Sequence, residues 1–347
     1  MHMADALLSP GVAAAMAVAS GTAAAVSVHA LRKNEEDTQK LPVMAVSAAL
    51  VFAGQMINYT IPGTGSSGHL CGGMLLSAVL GPQAGFLSMI VILTIQCLFF
   101  ADGGLLALGA NVWNMAFYGC FVGYYLIWRP IMRSSRLSAK SRILLASLLG
   151  CVVTLQLGAF SVVLETTLSG ITELPLGAFA ALMQPIHLAI GAVEGLITAA
   201  VLLFLHEARP ELLRDAEPHS GARAKASLKA TVAILAVVTL LVGGGLSLAA
   251  SSNPDGLEWS LFGNSEAGYS DNMALDEENF GVSSTAADTA AAIQEATSFL
   301  PDYAFAGSDS AAGTTVSGVL GSAMVAGVAV LICLAGGFYR KKRVSCH

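Results

Sequence analysis

Long apolar runs separated by short polar breaks fill most of the chain. About 20 apolar residues suffice to cross a bilayer as a helix. The pattern predicts nine such spans, near residues 8–31, 41–59, 69–81, 84–101, 104–128, 141–165, 181–206, 228–250 and 313–338. The third is short and Gly-rich and stops at Gly81-Pro82. It is expected to tilt into a neighbour or to break and line a cavity, where backbone shielded by protein is tolerated. The stretch 207–227 is polar, contains Pro and carries both signs of charge, as expected of a linker. It separates a seven-span unit, 1–206, from a two-span unit, 228–347, whose two helices are joined by the long loop 251–312. The expected fold is an all-α polytopic membrane protein, a bundle of seven transmembrane helices plus two C-terminal ones.

Composition agrees with this pattern. The 347 residues are 55% hydrophobic and 12% charged, half the charge of an average soluble domain, and mean hydropathy is +0.69. An ordinary water-soluble enzyme is thereby excluded. No basic patch interleaved with aromatics is present, so nucleic acid is not an expected partner. Lys and Arg favour the cytoplasmic side, and they cluster. Arg32, Lys33 and Lys40 form one group; Arg129, Arg133, Arg136, Lys140 and Arg142 a second. Arg209, Arg214, Arg223, Lys225 and Lys229 form a third, and Arg340, Lys341, Lys342 and Arg343 close the chain. All fall on one side if the N-terminus is outside and the C-terminus cytoplasmic, in the cell membrane of a prokaryote. The first 30 residues lack the basic start of a signal peptide, so Met1 is expected to stay on the chain and face outward. The loop 251–312 holds eleven Asp and Glu and no Lys or Arg. It reads as a solvated, partly ordered loop with one helix over 284–299. Six cysteines form no CxxC pair and read as packing residues.

Candidate chemistry begins at Met1-His2. The α-amine, the following peptide nitrogen and an imidazole nitrogen of His2 are contiguous donors that can close fused rings around one metal ion. A planar nitrogen set of this kind points to Ni(II) or Cu(II). The loop 58–73, NYTIPGTGSSGHLCGG, carries His69 on the same side of the membrane, and its imidazole would complete a four-nitrogen plane. Cys71, two residues on, is a possible soft ligand. Asp5, Asn58, Ser67 and Cys71 are candidates to orient the ligands. Polar residues inside spans are costly and face the bundle interior; Gln55, Gln96, Asn111, Asn114, Gln184 and His187 read as interhelical hydrogen-bonding groups, and Glu194, two turns from His187, shares its helix face. No phosphate-binding loop, zinc-protease motif, nucleophile elbow or dinucleotide fingerprint occurs. If transport uses ATP, another chain hydrolyses it.

The segments MHMADALLSP, IPGTGSSGHLCGG, LFFADGGLLALGANVWNM and HLAIGAVEG occur in order and resemble the cobalt/nickel substrate-binding subunits of energy-coupling-factor transporters, the CbiM/NikM family. The resemblance covers residues 1–206. The last two spans look like the small N subunit of the same system, fused on, and NPDGLEWS resembles a short motif of nickel/cobalt transport proteins. The resemblance implies a subunit that captures Ni(II) or Co(II) as substrate, without an organic cofactor. It implies Met1, His2 and His69 as the metal-holding residues. It further implies a transmembrane coupling (T/Q) subunit and cytoplasmic ATPase (A/O) subunits as partners, and no catalytic residues in this chain. Two other classes compete on the residues: a stand-alone secondary transporter or channel for divalent cations, in which Glu194 would be the key carboxylate, and a membrane metalloenzyme.

Overall fold

Most of the apolar runs become helices, but not all reach the length of a bilayer. The computed structural model describes residues 1–33, 41–216, 226–268, 272–273, 275, 280–305, 307 and 310–344. Lys40, Arg223, Lys225, Cys346 and part of the 207–227 linker lie outside these. In chain order the helices of the first unit are α1 (Pro10–Lys33), α2 (Leu41–Gln55), α3 (Gly73–Leu80) and α4 (Pro82–Phe100). Then α5 (Leu108–Asn111) runs through a π-helical stretch (Val112–Trp128) into α6 (Arg129–Met132). They are followed by α7 (Ala139–Leu168) and α8 (Leu176–Ala208). The second unit has α9 (Leu228–Gly244), α10 (Gly256–Phe262), α11 (Thr285–Thr297) and α12 (Ala311–Val344).

Among the described residues, six helices are long and apolar enough to cross a membrane: α1, α4, α7, α8, the run Leu228–Ala249, and Ala311–Ile332 within α12. The chain is a multi-pass membrane protein. Leu126, Leu168 and Leu241 stand outward on its surface, as side chains facing lipid do. Two of the nine expected spans fall short, each for a local reason, and a third, 104–128, starts late but runs unbroken from Leu108 to Met132. The run 41–59 stops as a helix at Gln55 because Tyr59–Ile61 (β1) turns back antiparallel on Ser66–Gly68 (β2), pairing Tyr59 with Gly68. Among the described residues this hairpin is the one sheet, and it departs from the all-α expectation. The run 69–81 yields only the eight residues of α3, all of them buried. Gly81 (φ +88°) ends it, and Pro82 starts α4 at the position where a missing N–H costs nothing. The run 104–128 enters its helix at Leu108, after 101–107 have crossed the N-terminal segment.

α3 sits at the centre. Its Gly73 meets Gly119 of the π-helical stretch, where an added Cβ would stand 3.2 Å from the Gly119 Cα. Such small-residue contacts let apolar helices approach closely without water to drive them together. α7 packs along α8 and the π-helical stretch, while α2, α9 and α12 form one group. Gln156 Nε2 donates to Gln184 O and Gln184 Nε2 to Gln156 O, tying α7 to α8.

One expectation is refined and one is corrected. Met1, Met3, Leu7 and Leu8 are all buried, so the N-terminal segment is tucked into the bundle before α1 begins. The described part of 251–312 is not a loose solvated loop. It folds as α10, α11 and a 3-10 turn (Pro301–Tyr303), packed against α8, β2, α4 and the N-terminal segment. The helix expected over 284–299 is α11.

Candidate metal centre

The N-terminal segment is held by the 103–111 turn. Asn111 Oδ1 accepts from Met3 N at 2.7 Å and Asn111 Nδ2 donates to Met3 O at 3.1 Å, so one side chain grips both backbone groups of Met3. Gly104 N donates to Met3 O, and Asp5 Oδ1 accepts from Ala107 N at 2.9 Å. Asn114 donates to Glu165 at 2.8 Å beneath the Met3 sulfur. These contacts place Met1 beside the loop that follows β2.

That loop is fixed from below. Glu194 of α8 accepts from Cys71 N at 3.0 Å and Gly72 N at 2.9 Å, and Gln55 Nε2 donates to Cys71 O at 2.8 Å. His69 Nδ1 lies 2.9 Å from Leu70 O. Donating there leaves the Nε2 lone pair free, the usual orientation of a metal-ligating imidazole. The Met1 amine stands 3.1 Å from His69 Nε2. Two donors at right angles, each about 2.05 Å from an ion, would be about 2.9 Å apart. The pair is thus already at ligand spacing.

His2 is not yet part of that arrangement. Its ring stacks on His69, with centroids 5.3 Å apart. Its Nδ1 faces Asp102 Oδ1 at 3.1 Å and its Nε2 faces the Gln96 amide at 3.3 Å. The structure therefore brings the amine and His69 together and turns the His2 nitrogens towards Asp102 and Gln96. A planar chelate requires the His2 ring to rotate.

The remaining candidates divide clearly. Ser67 does not orient His69; its N–H and hydroxyl bond Pro254 O and Asn253 O, holding the second unit against β2. For Asn58 the described bond is its carbonyl accepting from Ser251 N, so it too anchors the second unit rather than the ligands. Asp5 docks the N-terminal segment. Burial and the nearby Glu194 push the Cys71 thiol well above its ordinary range, the reverse of what thiolate ligation needs. His187 of α8 has Nδ1 2.8 Å from Met183 O, and its Nε2 has no partner.

Asp255 is the residue that sequence reasoning missed. It caps α10: Oδ1 accepts from Leu257 N and Glu258 N, and Glu258 returns a bond to Asp255 N. Its Oδ2 lies 2.5 Å from the Met1 amine and 3.8 Å from His69 Nε2. A signal was present, because NPDGLEWS contains an Asp-x-x-Glu helix start. Burial favours a neutral amine, but the Asp255 charge outweighs it and holds the ammonium above its usual 8.0. Burial opposes ionisation of Asp255, yet the ammonium and His69 carry it below the usual carboxylate range. Burial, then the ammonium, lower His69 to about 3, so it is neutral at physiological pH. Asp255 and burial lift Glu258 to about 7. The centre offers a buried neutral imidazole, a buried amine that can shed its proton and a half-buried carboxylate, a chemistry suited to a divalent cation.

A helical bundle fit to span a membrane, with an amine, an imidazole and a carboxylate brought together at its buried N-terminus, defines the class. Residues 2–212 match the family described as the cobalt uptake substrate-specific transmembrane region, and 229–336 match the PDGLE domain. The chain belongs to the cobalt/nickel transport family that carries this region, in a form with a PDGLE domain attached. A NikMN-type fused nickel transport protein of Archaeoglobus fulgidus is 34% identical, over 94% of this chain and 95% of that protein. The fused nickel transport protein NikMN of Rhodobacter capsulatus is 31% identical over 70% of this chain and 74% of its own length. The cobalt transport protein CbiM of Sorangium cellulosum is 32% identical over 61% of this chain and 94% of its own. A crystal structure of a truncated transition metal transporter is 35% identical, covers 60% of this chain and 99% of that one, and superposes with a TM-score of 0.52.

Proposed function

We propose that this chain is the substrate-capture membrane subunit of an ATP-driven, energy-coupling-factor importer of Ni(II) or Co(II). The observation that carries the reading is the buried Met1 amine 3.1 Å from His69 Nε2, a pair of nitrogens at ligand spacing. In this reading the ion displaces the ammonium proton. The His2 ring then swings from Asp102 and Gln96 to give, with its own peptide nitrogen, a four-nitrogen plane. Planar nitrogen coordination favours nickel over cobalt. Residues 1–206 form the metal-holding unit, 207–227 a cytoplasmic linker and 228–347 an N-type region whose external segment serves loading. ATP is hydrolysed on partner subunits, and a transmembrane coupling subunit links them to this chain.

Uptake by the purified chain alone, in vesicles without ATP, separates this reading from a stand-alone transporter. Bound metal equal to the amount of protein, with no accumulation inside, is expected. Accumulation down a metal gradient would contradict it.

A further inference from the structure

The donors that surround the Met1 amine in this conformation are not those of the planar chelate. Asp255 Oδ2 stands 2.5 Å from the amine and 3.8 Å from His69 Nε2, and the amine stands 3.1 Å from His69 Nε2. Donors about 2.05 Å from one ion are about 2.9 Å apart at right angles and about 3.3 Å apart at tetrahedral angles. The three edges bracket both values, so shifts of under an ångström would let one ion meet all three atoms once the ammonium loses its proton. No three His, Cys, Asp or Glu side chains stand at ligand spacing by themselves among the described residues; the main-chain amine is the third corner.

A fourth donor faces the same space. Met1, His69, Cys71, His187 and Asp255 line one small cavity of about 10 Å³, room for about one water-sized occupant. His187 is 1% exposed, and its Nε2 has no hydrogen-bond partner. Like His69, it has its Nδ1 at a main-chain carbonyl, which leaves an Nε2 lone pair for the cavity. The second unit delivers Asp255 to this place, held through Ser67 N to Pro254 O at 2.8 Å. His2, meanwhile, is engaged elsewhere.

We propose that this cavity is an entry site for a divalent metal ion, distinct from the planar chelate. Its ligands are the Met1 amine, His69 Nε2 and Asp255 Oδ2, with His187 Nε2 facing the remaining position. The ion passes to the chelate by exchanging Asp255 for the peptide and ring nitrogens of His2, the peptide N–H giving up its proton to solvent as the metal–nitrogen bond forms. A non-planar nitrogen–oxygen set discriminates little among Co(II), Ni(II) and Zn(II), so selection falls on the second step. The proposal rests on the capture reading above.

The test uses Co(II) and the purified full chain in five forms: native, Asp255→Asn, His2→Ala, the double variant, and a form with a short histidine-free extension before Met1. Asn at 255 still caps α10. Asp255→Asn is expected to reach native stoichiometry at least tenfold more slowly in stopped-flow absorption. His2→Ala is expected to hold one Co(II) with the intense visible bands of a non-planar site, and to lose it when Asp255→Asn is added. Native loading rates in Asp255→Asn overturn the entry site, as does unchanged Co(II) in the double variant. Should Asp255→Asn release the second unit, seen as new protease cleavage within 256–305, X-ray absorption of Co(II)-loaded His2→Ala decides. A mixed nitrogen–oxygen shell that includes a carboxylate supports the proposal, and an all-nitrogen shell overturns it. An extended form that binds as the native form does overturns the capture reading itself.

Discussion

His69 shows how much one side chain can be read before its surroundings are known. A lone histidine in a Gly/Ser loop, on the same side as a Met-His start, suggests a shared ion, and the 3.1 Å contact with the Met1 amine agrees with that. Asp255 was not legible in the same way, because 254 residues separate it from Met1 and it is one of eleven acids in its segment. The direction of the His2 ring was equally hidden, since it depends on Asp102 and Gln96 from a different helix end. Two predictions belong here. His69→Ala should weaken Ni(II) binding about a hundredfold or more, measured by competition with a chelating dye. Affinity should rise with pH beyond 8, because the ion must displace a proton from an amine held above 8.0. No inflection is expected near 6.5, since His69 has been lowered to about 3. Titrations from pH 6 to 9 check both statements.

The elements were legible where apolar pattern and helix coincide, as in α7 and α8, and less so where an apolar run turns a corner. The expected span 41–59 concealed a hairpin, and the expected span 69–81 concealed a loop whose Gly72 has φ +81°. A Cβ there would come within 2.3 Å of Val51 Cγ1. Gly72→Ala should therefore shift the His69 loop and lower metal affinity, while Gly177→Ala, at an ordinary φ and with nothing within 4 Å of its added carbon, should leave the contacts in place. Paired binding titrations separate the two. The segment after α9 was misjudged because its acidic, Ala/Ser-rich composition suggests poor order, whereas its anchors are single bonds such as Val282 N to Ala6 O and Gln294 Nε2 to Gly103 O. Its docking should depend on pH through the Met1–Asp255 pair. The amine's folded value is raised, so its contribution is complete below pH 8.0 and is lost as pH climbs through the raised value. The carboxyl's is lowered, so its contribution is complete above 3.8 and is lost as pH falls through the lowered value. Hydrogen exchange at Ser67 N, which bonds Pro254 O, should be slowest between about pH 4 and 8 once corrected for intrinsic rates.

For the whole molecule, the two units are joined through the candidate metal centre rather than merely along the chain. Asp255 reaches the amine, and Tyr303 OH donates to Asp102 Oδ2 at 2.5 Å, the same carboxylate that faces His2. Removing 228–347 should leave the first unit foldable but cut metal uptake in cells, because the acidic partner of the amine and the support of Asp102 are both lost. Full uptake by the truncated chain would show that the second unit has no part in loading. The overall architecture was legible because lipid demands long apolar helices, and the centre was only partly so because it is assembled from three distant segments.

The central claim is that the free Met1 amine is a ligand, and elemental analysis of bound Ni and Co tests it most directly. Two purified forms are compared: one that begins at Met1 and carries its tag at the C-terminus, and one with a short histidine-free extension before Met1. The account predicts about one metal ion per chain in the first and close to none in the second. Equal metal in both would contradict it, and would assign the binding to side chains alone.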